Sequence, residues 1–205
     1  MGQVLYEAGK VESHVYCPTL AIVSLLYVLE NGDSVEIAVV SNEGIVGFAL
    51  FMGGNSISSR AVVQSAGLGF RMKSQFIQEV FERSGPVTHL LLRYTQALIT
   101  QMAQTAVCNR HHSLAQQLCC WLLISLDRLP GNELVMTQEL IANMLCVRRE
   151  SVTEGALRLQ AAGVIKYARG RITVLDRIVF ERRSCECCNV VKKEYDRLLP
   201  RQIAT

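Results

Sequence analysis

The stretch from Gln138 to Leu157, QELIANMLCVRRESVTEGAL, decides how this chain is to be read. Two short helices crossing steeply through a tight turn need particular residue types at particular offsets. Ile141 and Leu145 fall on one helical face, and Ala142 supplies a small side chain where a second helix passes close. Val147 is placed to plug the turn, and Val152, four residues after Arg148, to anchor the second helix to a core. These constraints together predict a helix-turn-helix rather than a chance helical hairpin. Cys146 takes the turn position usually held by glycine, where a positive φ strains a side-chain-bearing residue by roughly 1 kcal/mol. Gly155 inside the second helix costs up to about 1 kcal/mol relative to alanine, which predicts close packing against the first helix.

Working downstream, Val164–Tyr167 and Ile172–Leu175 are short β runs around the basic turn Ala168-Arg169-Gly170-Arg171. Directly after a helix-turn-helix they read as a wing hairpin, although an exposed hairpin with solvated arginines has the same pattern. The second helix presents Arg148, Arg149, Glu150, Ser151, Thr153 and Glu154 at its start. Arginine bonds a guanine edge in bidentate fashion, glutamate accepts from cytosine, and serine bonds a phosphate. Charge supports a polyanion at this end: residues 136–205 hold 13 Lys and Arg against 8 Asp and Glu, whereas residues 1–135 hold 8 against 10.

Upstream, Val4–Tyr6, Ile22–Val28, Val35–Val40, Ile45–Phe51 and Ala61–Val63 are apolar runs, separated by turns such as Asn31-Gly32-Asp33, Asn42-Glu43-Gly44 and Gly53-Gly54-Asn55. Short strands at this spacing predict an antiparallel roll or jelly roll. A short helix is expected over Ser74–Arg83, and Pro86 opens a long one, uninterrupted by Gly or Pro to about Asn109. Leu92, Thr95, Ile99, Met102 and Ala106 follow an a/d spacing, while Leu90, Leu91 and Leu98 form a second apolar stripe. Two apolar faces call for two partners: the roll and a second copy of the same helix. Burial of both faces within one monomeric core is the alternative. Ser113 caps a further amphipathic helix to about Leu129, containing Leu118, Trp121, Leu122, Ile124 and Leu126 and ended by Pro130-Gly131-Asn132. A hinge is expected near Asn109–His112.

Half of the chain is apolar, which argues against disorder. No apolar run reaches the roughly 18 residues that span a bilayer, and no signal-peptide pattern opens the chain. A cytoplasmic protein with no membrane partner is expected. Eight cysteines without a signal peptide read as buried thiols rather than disulfides. No metal site is assigned. Cys185, Cys187 and Cys188 are the one dense thiol group, able to hold a metal or to oxidise, with incidental thiols as the plainer account. No nucleophile sits at a strand-to-helix turn with an orienting acid, so an enzyme is not expected.

Roll, long helix and winged helix-turn-helix in this order resemble the CRP/FNR family of bacterial transcription regulators over nearly the whole chain. The most specific match is Arg149-Glu150-Ser151-Val152, similar to that family's recognition-helix Arg-Glu-Thr-Val. The resemblance implies Arg149 and Glu150 as base readers, while Glu154 departs from the basic residue many relatives carry nearby. Cyclic-nucleotide binders of the family use a Gly-Glu pair for the ribose and an Arg-Ser or Arg-Thr pair for the phosphate. Here Phe48 follows Gly47, and in Ser58-Ser59-Arg60-Ala61-Val62-Val63 the arginine lies two residues beyond the phosphate position, roughly 6.6 Å along a strand. Cyclic AMP is therefore not expected, and the cofactor is left unassigned. The iron-sulfur and haem branches fit poorly, since no cysteine cluster precedes the roll.

The resulting expectation is an α+β chain: a cyclic-nucleotide-binding-like antiparallel β-roll with dimerisation helix over residues 1–110 (helix at about 86–109), and a winged helix-turn-helix DNA-binding domain over 111–205. The expected function is sequence-specific DNA binding as a homodimer, with double-stranded DNA, a second copy and RNA polymerase as partners. The base readers are Arg149, Glu150 and Thr153, the phosphate contacts Arg148, Ser151, Arg169 and Arg171, and the dimer residues Leu92, Ile99, Met102 and Ala106. A cysteine-dependent redox or metal-responsive protein is the alternative.

Overall fold

The computed structural model describes residues 2–129 and 131–199. Its N-terminal half is an antiparallel roll of two sheets. Strands β1 (Val4–Tyr6), β3 (Ile22–Val28), β4 (Ser34–Val40) and β5 (Arg60–Ser65) form one sheet in the order β1-β5-β3-β4. Strands β2 (His14–Pro18) and β6 (Gly69–Lys73) form the other. β3 reads as a continuous apolar run because both of its faces are covered. Val23 and Leu25 enter the roll core with Val15, Val40, Val46 and Leu50. Leu26 turns the other way, into the core of the C-terminal half. On that same outward face Ser24 Oγ bonds Gln64 Oε1 at 3.0 Å, and Gln64 Nε2 reaches Ser125 Oγ at 3.1 Å.

Two expectations in the roll need correction. β2 and β6 were not legible as strands, and the run Ile45–Phe51 is no strand. It makes one isolated bridge, Tyr16 to Val46, and then a 3-10 turn over Phe48–Leu50 entered through Gly47 at φ 99°. A short apolar run alone does not distinguish strand from compact turn when both are buried.

Past the roll come α1 (Ser74–Glu82) and α2 (Pro86–His111), the latter 26 residues or about 39 Å long. α2 runs to His111, slightly beyond the expected end, and the chain breaks at His112–Ser113. Ser113 caps α3 (Leu114–Leu126) in a capping box with Gln116. Of the expected stop signal, Pro130 lies outside the described residues. β7 (Glu133–Val135) leads to α4 (Gln138–Leu145) and α5 (Arg149–Ala161), and then β8 (Ile165–Ala168) and β9 (Arg171–Val174). The sequence does not announce β7, yet it joins the wing as the outer strand of a β7-β9-β8 sheet. Helices α6 (Arg177–Arg183) and α7 (Glu186–Leu198) finish the described chain.

α3 is the centre of the C-terminal half, packed on α5, α6 and α7, with α7 returning along α2. α4 also lies against β4 of the roll. The halves are bound by a part-buried polar network: Arg128 on the α3 exit meets Glu43 of the roll at 2.5 Å and stacks over the Tyr195 ring at 5.2 Å. Tyr195 Oη in turn donates to Gln101 Oε1 on α2 at 2.9 Å. No helix among the described residues is long and apolar enough to cross a membrane.

Candidate nucleic-acid interface

The helix-turn-helix forms as its residue pattern requires. Thr137 caps α4 by accepting from Leu140 N at 3.2 Å, and Ile141, Ala142 and Leu145 are buried. Cys146 holds the left-handed conformation at φ 52°, exposed at the turn, and Val147 packs on the core. α5 begins at Arg149 with Arg148 as its N-cap residue, and Val152, Ala156 and Leu159 bury its inner face. One local expectation is corrected: Gly155 does not face α4. A Cβ there would meet Leu118 Cδ2 of α3 at 3.5 Å, an ordinary contact, so close approach does not require glycine.

The outer face of α5 carries the polar candidates. Arg148, Arg149 and Glu150 are exposed, while Ser151 and Thr153 are half-buried. The Thr153 hydroxyl lies 2.8 Å from Gln138 Oε1 and 3.0 Å from the Arg149 carbonyl, so its hydrogen is held inside the protein. Glu154 pairs with Arg158 one turn on at 2.5 Å. Arg149 and the wing tip line one concavity, together with Thr137, Gln138, Tyr167, Arg169 and Gly170. Tyr167 braces it by donating to the Met136 carbonyl at 3.0 Å. Arg169 stands exposed at φ 51°, whereas Arg171 is occupied by Glu133 at 2.5 Å. Lys166, exposed on β8, was passed over in the sequence because a lone lysine in a strand carries no motif.

On α2, Leu92, Ile99 and Ala106 are exposed, with Leu90 and Val107 beside them. Met102 is half-buried and packs on the roll core with Leu91, Tyr94 and Leu98. Thr95 is buried, its hydroxyl bonded to the Leu91 carbonyl at 2.9 Å. In the roll, Arg60 pairs with Glu7 at 3.2 Å.

The C-terminal thiols divide. Cys188 Sγ faces the Cys120 carbonyl at 3.7 Å, while Cys185 and Cys187 gather with Cys108 and His112. Cys108 and His112 were absent from the thiol group drawn from sequence. Their i,i+4 spacing at the end of α2 was the available signal.

The class these features define is a winged helix-turn-helix joined to an antiparallel roll through a long helix. Residues 116–183 match the family model described as a Crp-like helix-turn-helix domain. No curated protein sequence matches the chain. Among solved structures, the chain is similar to a CRP-family transcriptional regulator of Thermus thermophilus, at TM-score 0.74 and 17% identity over 89% of this chain and 93% of that one. It is similar to FixK2 of Bradyrhizobium japonicum at TM-score 0.75 and 15% identity, covering 90% and 93%. A second Thermus thermophilus regulator, of the CRP/FNR family, gives 0.70 and 19%, covering 89% and 94%. Residues 116–183 are thus similar to the Crp-like helix-turn-helix domain, and about nine-tenths of the chain shares the fold of solved CRP/FNR-family regulators.

Proposed function

We propose that the chain is a homodimeric, sequence-specific transcription regulator that inserts the start of α5 into the DNA major groove. The observation that carries this reading is the orientation of α5. Its apolar face is locked into the core by Val152, Ala156 and Leu159, leaving Arg149 and Glu150 outward beside the wing arginine Arg169. Arg149 and Glu150 read base edges. Thr153, whose hydroxyl is held internally, offers its methyl group to a thymine methyl. Arg148, Ser151 and Arg169 hold phosphates, and Arg171 does so once it leaves Glu133. Dimerisation uses the exposed Leu92, Ile99 and Ala106 of α2, with Met102 at the margin of that surface.

The chain divides functionally at about residue 110 in this proposal, into a sensory roll with its dimer helix and a DNA-binding half. RNA polymerase is the further partner of such a regulator in the cytoplasm, and its activity is binding rather than catalysis. The test is selection from random duplexes with the purified protein. A palindromic consensus with half-sites about 34 Å apart supports the reading, because two-fold symmetry places the recognition helices one turn of duplex apart. Recovery of no consensus, or of single half-sites only, overturns it.

A further inference from the structure

Cys108, His112, Cys185 and Cys187 each offer one ligand atom, and these four atoms lie within 4.8 Å of one another. Cys108 Sγ is 3.4 Å from Cys185 Sγ, and Cys187 Sγ is 3.6 Å from His112 Nδ1. A tetrahedral zinc ion with Zn–S of about 2.3 Å and Zn–N of about 2.0 Å requires S···S edges of roughly 3.8 Å and S···N edges of roughly 3.5 Å. The two close pairs lie near those edges. The three thiols are buried, and the His112 side chain is only 12% exposed.

A second observation points the same way. The other ring nitrogen of His112, Nε2, lies 3.3 Å from the carboxylate of Glu186, which is exposed to solvent. A carboxylate that holds the far nitrogen of an imidazole, fixing its tautomer and aiming the near one, is the usual outer partner of a metal-bound histidine. Thiols packed merely as small apolar groups call for neither the ring nor the carboxylate. We propose that these four side chains form a closed Cys3His site for a zinc-class divalent cation, clamping the end of α2 to the start of α7.

A cation bound by these side chains takes its cysteines as thiolates, so binding releases their protons. The site also has a mechanical consequence. His112 and Cys108 sit at the break between α2 and α3, and α7 packs along α2, so a bound ion stitches the hinge to the helix that lies beside it. Metal occupancy thereby fixes how the DNA-binding half is held, independently of which DNA sequence it reads.

The experiment uses the full chain purified without oxygen from zinc-supplemented cells, followed by elemental analysis and replacement of the metal with Co(II). One metal per chain and the intense visible bands of tetrahedral Co(II)-thiolate are expected, both lost in Cys187→Ser and retained in Cys146→Ser. Because a buried substitution can disturb folding, Glu186→Gln at the exposed outer position gives a second reading. It should keep the helical circular dichroism and bind zinc roughly 10- to 100-fold more weakly in competition with a chromophoric chelator. Absence of bound metal with a pale, octahedral Co(II) spectrum overturns the proposal. So does a Cys108–Cys185 disulfide in the anaerobic protein, or unchanged affinity in Glu186→Gln. DNA selection by metal-stripped protein would leave this test unaffected.

Discussion

Arg149 and Arg169 are both exposed basic residues lining one concavity, yet they differ in what they can carry. Arg149 projects from the first turn of α5, where an arginine reaches a guanine edge, while Arg169 sits at the tip of a hairpin suited to the phosphate backbone. Arg149→Ala is expected to cost roughly 1 to 3 kcal/mol per half-site and to relax preference at one base position. Arg169→Ala is expected to weaken all sequences alike and to lower the salt slope of binding by about one. Binding of both variants to a selected palindrome and to scrambled DNA across a salt series separates them, and equal losses of specificity would reverse the assignment. Gly155 makes a stability prediction at the same scale. Its neighbour Leu118 leaves ordinary room for a methyl group and no positive φ demands glycine, so Gly155→Ala should stabilise the protein by up to about 1 kcal/mol. Urea midpoints check this, and a loss would show that α3 cannot yield to the added methyl.

Among the elements, α2 presents the least resolved surface of the single chain. Its inner face is spent on the roll through Leu91, Tyr94 and Leu98, and α7 lies along another side, yet Ile99 remains 60% exposed. Ile99→Glu places a charge in the proposed helix pair, where burying it unpaired is costly, and should convert a dimer at micromolar concentration to monomer in sedimentation. A monomeric parent protein under the same conditions would instead mean that the stripe has another role. The long helix was legible because no Gly or Pro interrupts it, although its stripes divide differently than read, with Leu90 exposed, Thr95 buried and Met102 packed on the roll; the α4-turn-α5 unit was legible because spaced constraints coincide. Other elements gave no such pattern. β7 is three residues long, β2 ends in Pro18, and α7 builds its buried face from Cys187, Cys188, Val191 and Leu198, so its thiols read as a chemical cluster before they read as a helix face. The exposure of Arg149 and Glu150 at the start of α5 followed from the motif, but the engagement of Thr153 by Gln138 and of Arg171 by Glu133 depends on tertiary approach and leaves no mark on local sequence.

At the scale of the molecule, a buried carboxyl lies where the roll meets α3. Glu36 on β4 accepts from Trp121 Nε1 on α3 at 2.5 Å, and its Oε2 is buried with no hydrogen-bond partner among the described residues. Burial raises its pKa from 4.5 to about 7, against the pull of the Trp121 hydrogen bond and of the Arg128 charge. Because the folded value lies above the unfolded one, the folded state binds the proton more tightly. The associated stability is complete below about 4.5, declines as pH rises, and is gone above about 7. The difference amounts to about 3 kcal/mol over that window. Glu36→Gln keeps an acceptor for the indole and removes the ionisation, so the difference in stability between variant and parent should grow in the variant's favour from pH 5 to pH 8. Groups common to both proteins cancel in that difference, which makes urea unfolding at a series of pH values a measurement of Glu36 alone. A variant less stable than the parent above pH 7 would mean that the ionised carboxylate is held by Arg128 strongly enough to outweigh its desolvation. The contact between roll and α3 would then be an ion-paired joint rather than one that favours the protonated acid.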